Sequence, residues 1–217
     1  MQLEMEPTAT QQENVLPQPS SRQGLLFVLS APSGAGKDTV INLLKQQGMD
    51  IFVVPSVTTR APRPGESEGN PYHFVDAEEF ERLRTNNELL EYAKVHGNWY
   101  GQPVRPIRET LRAGGDVLLK IDVQGAATVR KKVPQAIFIF LLPDSLEELA
   151  QRLSSRHTET EAELQRRLAD ARMELAQQQW YDYVIRNRQG HIQEAVDKLR
   201  AIIVAEHCRN SPSYVEI

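Results

Sequence analysis

The sequence predicts an α/β domain, a parallel β-sheet core with helices on both faces, interrupted by a small inserted subdomain. Three observations carry this. Apolar runs recur at Leu25-Leu-Phe-Val-Leu29, Val117–Ile121 and Ala136–Leu142, and each is followed by a helical pattern. Strands that read as unbroken apolar runs are covered on both faces, as parallel sheets are. A glycine-punctuated loop joins the first run to its helix, and from about 56 to 101 the alternation gives way to short, turn-rich stretches.

The elements follow in order. Val40, Ile41, Leu43 and Leu44 mark the first helix, and Ala126–Lys132 and Leu146–Ser154 read as later ones. Tyr183–Arg186 reads as a last strand, followed by a helix through Ile192, Val196, Leu199 and Ile203. Ser145 with Glu148 and Thr160 with Glu163 have capping-box spacing, and Asp76 with Glu79 is a weaker version. Residues 1–23 are polar and carry Pro7, Pro17 and Pro19, so they read as a disordered extension. The domain is expected over 24–206, with core 24–55 and 102–206, insertion 56–101 and a flexible tail at 207–217.

At 217 residues the chain suits one domain with an inserted subdomain. A net charge of −4 gives no electrostatic reason to expect nucleic acid or an anionic membrane as partner. No apolar run approaches the ~20 residues a membrane helix needs. Cys208 is the only cysteine, which excludes an internal disulfide framework and fits a reducing cytoplasm.

The loop contains Ala31, Pro32, Ser33, Gly34, Ala35, Gly36, Lys37, Asp38 and Thr39. Glycines let successive N–H groups face one anion, and the helix N-terminus adds partial positive charge. Lys37 is placed to reach the β- and γ-phosphates of a nucleoside triphosphate. Against G-x-x-x-x-G-K-[ST], Ala31 replaces the first glycine and Asp38 the hydroxyl residue that normally ligates Mg²⁺. A carboxylate is a hard oxygen ligand, so Asp38 is the candidate Mg²⁺ ligand, directly or through water. Within the insertion, Arg60 and Arg63 flank Pro62, and two guanidinium forks on a stiff loop suit a second phosphate. Tyr72 and Tyr100 offer hydroxyl donors to it.

Five motifs in order, over about Gly24 to Glu206, resemble those of guanylate kinases. They are the loop, Ser56-Val-Thr-Thr-Arg-Ala-Pro-Arg-Pro-Gly-Glu66, Glu88-Leu-Leu-Glu-Tyr-Ala93, Gly97-Asn-Trp-Tyr-Gly101 and Ile121-Asp-Val-Gln-Gly125. The resemblance implies a P-loop NTPase-type core, a GMP-binding insertion and a mobile lid at about 152–172. It implies ATP:GMP phosphotransfer with Mg²⁺, with ATP and GMP as partners and dGMP tolerance left open. Arg60, Arg63, Tyr72 and Tyr100 then hold the GMP phosphate, Glu91 reads guanine N1–H and its amine, and Ser56 reads O6. Asp122 contacts the base or, through water, the metal. Arg156 and Arg167 match lid arginines, and Asn187 matches a position near the ATP adenine.

The chain departs from the family at several positions. Lys120 stands for an acidic residue, Gln102 for a Ser or Thr that contacts the base, and His157 for a glycine. Arg166 and Arg172 read as a solvated helix face pairing with Glu163 and Glu174. Two other readings stay open here: a ribose bisphosphate kinase, which Asp38 resembles, and an inactive guanylate kinase-like binding module.

Overall fold

The computed structural model describes residues 23–95, 97–154, 161–211 and 213–217. The first half of the chain runs β1 (Leu26–Ser30), α1 (Lys37–Gln46), β2 (Phe52–Val53), β3 (Ser56–Thr58), β4 (Ser67–Glu68) and β5 (Pro71–Phe74). It continues through α2 (Ala77–Thr85), β6 (Leu89–Val95), β7 (Asn98–Pro103) and α3 (Val104–Arg112). The second half runs β8 (Val117–Lys120), α4 (Val123–Lys132), β9 (Ile137–Pro143), α5 (Leu146–Ser154) and α6 (Glu161–Ala176). A 3₁₀ turn, β10 (Tyr183–Asn187) and α7 (Ile192–His207) complete it.

Two sheets form, the expected parallel one in the core and a second in the insertion. The main sheet has the order β10-β9-β1-β8-β2 and every pairing in it is parallel. The second, mixed sheet has the order β4-β5-β3-β7-β6. Side-chain alternation along the central strands explains the layering. Phe27 and Leu29 of β1, with Ile137, Ile139 and Leu141 of β9, pack on Val40, Ile41 and Leu44 of α1 and Val196, Leu199 and Ile203 of α7. Leu26, Val28, Phe138 and Phe140 turn the other way, onto Ile107 and Leu111 of α3 and Ala126 and Val129 of α4. Each such side chain stabilises the fold by roughly 1.5–3 kcal/mol on burial.

Helix starts follow the expected chemistry. Asp76 Oδ1 accepts the Glu79 N–H at 2.8 Å, and Ser145 Oγ accepts the Glu148 N–H at 3.1 Å. The Glu148 carboxylate accepts from the Asp144 N–H at 3.2 Å, one residue before the reciprocal capping-box position. The Thr160 box, Arg156 and His157 lie outside the described residues, as does the N-terminal extension except for Gln23. No helix among the described residues is long and apolar enough to cross a membrane.

The C-terminal segment, read as a flexible tail at 207–217, makes contacts with the core. His207 meets the buried Asp116, with Nε2 2.7 Å from Oδ2, while Asp116 Oδ1 accepts the Leu25 N–H at 3.0 Å. Val215 is buried and Ile217 packs against the same core as α3 and α4. Arg108 Nε donates to the Ile217 O at 2.6 Å. Apolar Val215 and Ile217 supply the anchoring that the Ser and Asn composition before them conceals.

Candidate active site

The anion-binding end is built by β1 and α1. Because β1 is the central strand, its C-terminal end opens at the middle of the sheet edge, where open α/β sheets bind ligands. Gly34 and Gly36 have φ of 88° and 93°, a region that favours glycine, and Gly36 caps α1 without a side-chain acceptor. The first-turn N–H groups of α1 therefore remain directed at an anion. Lys37 Nζ donates to the Ala31 O at 2.7 Å. Burial holds its pKa below the ordinary lysine value, against the opposing pull of Glu174 and Asp38.

Three side chains brace this loop from other elements. Asn187 Nδ2 of β10 donates to the Ala35 O at 2.8 Å, and Arg152 Nη1 of α5 reaches the same oxygen at 3.4 Å. Arg167 Nη2 of α6 donates to Ser33 Oγ at 2.7 Å. Thus Arg167 and Asn187 do meet the loop, although through its protein atoms. Arg152, which also pairs with Glu148, carried no distinctive signal in the sequence.

The mixed sheet builds the opposite wall. Its registers set Ser56 beside Tyr72, Thr58 beside Tyr100, and Glu91 beside Gln102. Arg60 Nη2 donates to both Glu66 carboxylate oxygens at 2.9 Å, and the Arg63 N–H donates to Oε2 at 2.8 Å. Glu66 therefore organises the arginine turn, a role the sequence reading missed despite naming the residue within a motif. The Arg60 guanidinium lies 5.2 Å from the Tyr72 ring centre, and the Tyr72 and Tyr100 rings meet edge-on at 5.8 Å. Arg63, Tyr72 and Tyr100 line the cleft, with Arg60 behind them.

A polar cluster closes the far end of that wall. Gln102 Nε2 donates to Ser56 Oγ at 2.6 Å, and all of Ser56, Glu91 and Gln102 are buried. Glu91 Oε2 and Gln102 Oε1 have no hydrogen-bond partner among the described residues. Burial, reinforced by the charge of Asp122, pushes the Glu91 carboxyl up to about 8, while Lys132 pulls weakly the other way. Unsatisfied buried acceptors are costly, about 1–3 kcal/mol each, and their presence calls for a ligand with donors. Asp122 Oδ1 caps α4 through the Gly125 N–H at 2.8 Å and lines the same cleft.

Between the two ends stands an ion pair that the sequence does not announce. Lys120 Nζ donates to Asp38 Oδ1 at 2.5 Å, uniting the two charged departures noted above. The whole cleft is about 1400 Å³ and runs from Ala31–Thr39 to Glu91 and Gln102. Two residues of α6 read as part of a solvated face border this cleft. Arg166 lines the cleft, and Glu174 lines it too, close enough to Lys37 for the two charges to interact. The apolar stripe Leu164, Leu168, Ala171 and Leu175 marks the packed side of α6, but nothing in its polar side tells cleft from solvent. Among the described residues no group of three or more His, Cys, Asp or Glu forms a metal cage.

This cleft and fold have close counterparts. The sequence profile of the family described as guanylate kinase matches residues 23–206. The guanylate kinase of Halalkalibacterium halodurans is 46% identical over 187 residues, covering 86% of this chain and 91% of its own length. That of Dechloromonas aromatica is 48% identical over 182 residues, covering 84% and 89% respectively. The crystal structure of guanylate kinase from Anaplasma phagocytophilum superposes with a TM-score of 0.73 at 37% identity, covering 90% of this chain and 91% of that one. By profile, by sequence and by fold, the chain belongs to the guanylate kinase family.

Proposed function

We infer that the protein is an ATP:GMP phosphotransferase, which moves the γ-phosphoryl group of ATP to GMP and yields ADP and GDP. The observation that carries this reading is the buried Glu91 carboxylate with an unpartnered oxygen, at the far end of a cleft that begins at a phosphate loop. Ionised Glu91 accepts guanine N1–H and the exocyclic amine, and Ser56 donates to O6. Adenine offers a lone pair at N1 and is repelled there. Gln102, which holds Ser56, keeps that hydroxyl aimed. A sugar bisphosphate has hydroxyl donors but lacks the guanine edge, an N1–H and an amine beside an O6 acceptor, that Glu91 and Ser56 together match.

The chemistry needs positioning and charge more than a covalent group. The α1 amides and Lys37 hold the ATP phosphates, while Arg63, Tyr72 and Tyr100, with Arg60 behind them, hold the GMP phosphate. A GMP phosphate oxygen bonds to Pγ as the Pγ–O bond to the β-phosphate breaks, and the electron pair stays on the departing ADP oxygen. Arg167 lies at the loop to offset charge on the transferring group. Arg156 is proposed to join it when the lid and the insertion close and exclude water.

Asp38 suits Mg²⁺ as a hard carboxylate one residue after the loop lysine, and a carboxylate has about four acceptor positions, so a bond to Lys120 is compatible with a metal or its water. The ion supplies neutralisation of phosphate charge when bound. ADP release that requires GMP and stops on removal of Mg²⁺ with EDTA supports the reading, and folded protein releasing ADP equally without GMP contradicts it.

Glu91 also sets a pH dependence. Its folded pKa of about 8 lies above the ordinary 4.5, so its contribution to stability is complete below 4.5 and lost as pH rises through 8. GMP needs the ionised form, so binding at pH 7 releases a proton. The KM for GMP is expected to fall about tenfold between pH 7 and pH 9, as one ionisation completes. The second GMP phosphate ionisation, near pH 6, is finished before that window. Steady-state kinetics checks this, and the KM for ATP serves as the control that does not follow.

Gly125 supports the same carboxylate. A Cβ there would stand 2.5 Å from Glu91 Oε2 and 2.9 Å from its Cδ, closer than atoms pack. Gly125→Ala is expected to lower kcat/KM for GMP by about 10²-fold through displacement of Glu91. Kinetics with saturating ATP, alongside a thermal scan, measures it.

A further inference from the structure

Lys120 ends β8 on the cleft floor, with the phosphate-loop strand β1 on one side and β2 on the other. Its ammonium touches both halves of the site. It donates to Asp38 Oδ1 in the first turn of α1, and it lies 5.1 Å from the centre of the Tyr72 ring in the wall assigned to the GMP phosphate. The pair is asymmetric: the lysine side chain is 11% exposed and the aspartate 73%. An ion pair with one exposed partner adds about 0–1 kcal/mol at most, which is little return for sequestering an ammonium.

We propose that Lys120 is a catalytic residue of the transfer, its ammonium contacting the phosphoryl group between donor and acceptor, with Asp38 as the positioning residue that aims it. This rests on the phosphotransfer reading above. Lys37 belongs to the donor loop and Arg63 to the acceptor wall, whereas Lys120 adjoins both and can stay with the group as it moves. It keeps its proton throughout, because the bond made at Pγ and the bond broken there balance without one. The negative charge that Asp38 brings beside the phosphates is offset by the same ammonium.

Full-chain Lys120→Met, Lys120→Arg and the double variant Asp38→Ser with Lys120→Met test this by steady-state kinetics with ATP and GMP. Lys120→Met is expected to lower kcat by about 10²–10³-fold with both KM values little changed. Lys120→Arg is expected to recover most of that loss, and the double variant to remain as slow as Lys120→Met. Thermal scans verify folding, and Lys120→Gln substitutes if the methionine variant does not fold. A double variant restored to the wild-type kcat would show that the lysine only neutralises Asp38, and would overturn the proposal. So would a methionine variant with raised KM and unchanged kcat while the wild type is active. A wild-type chain silent with GMP overturns this proposal and the phosphotransfer reading together.

Discussion

Glu91→Gln is expected to lower kcat/KM for GMP by about 10⁴-fold, the scale on which a site built for specific hydrogen bonds rejects a mismatched partner. The substitution conserves shape, so it opens no cavity in the mixed sheet. It replaces a carboxylate oxygen by an N–H donor, which meets a guanine N–H head-on in a site where the residue is 2% exposed. The KM for ATP, bound at the other end of the cleft, is expected to hold. Discrimination against AMP should narrow, since the amide can donate to adenine N1. The variant should also melt no lower than the wild type at pH 8, because it removes a buried acid that resists ionisation. Initial rates with GMP and AMP, with one thermal scan, decide the matter.

Lys37→Met is expected to lower kcat by about 10³-fold, with the KM for GMP nearly unchanged. The lysine stem is retained in volume, so the loop between β1 and α1 keeps its packing, while the cation beside the ATP phosphates is lost. Arginine is not expected to restore the rate. Its planar fork cannot take the place of a compact ammonium folded against the Ala31 O at 2.7 Å. Rapid-quench measurement of a single turnover distinguishes slowed transfer from slowed product release.

The main sheet was legible because its evidence is local. Alternating residues of β1 and β9 are apolar on both faces, and Gly34, Gly36 and Lys37 sit in contiguous sequence. Capping by Asp76 and Ser145 was readable for the same reason. The chemistry between the ends of the cleft was not. Asp38 and Lys120 are 82 residues apart and meet only because β8 lies beside β1, so each alone looks like an isolated departure. Glu66 was visible in its motif, but its hold on Arg60 depends on the turn that brings them together. Helix α6 shows an apolar stripe at Leu164, Leu168, Ala171 and Leu175, but Arg166 and Glu174 lie on its polar side, where periodicity does not tell cleft from solvent. Val215 and Ile217 escaped notice because two apolar residues after a polar stretch are too few to show a period.

The measurement that bears most directly on this site is the rate of ADP formation from ATP with GMP, IMP or AMP as acceptor, in Mg²⁺ at pH 8. IMP keeps guanine's N1–H and O6 and lacks only the exocyclic amine, so it isolates one of the two hydrogen bonds assigned to Glu91. The expected order is GMP well above IMP, with AMP about 10⁴-fold below GMP. Equal rates with GMP and AMP would mean that the Glu91, Ser56 and Gln102 cluster does not read the base.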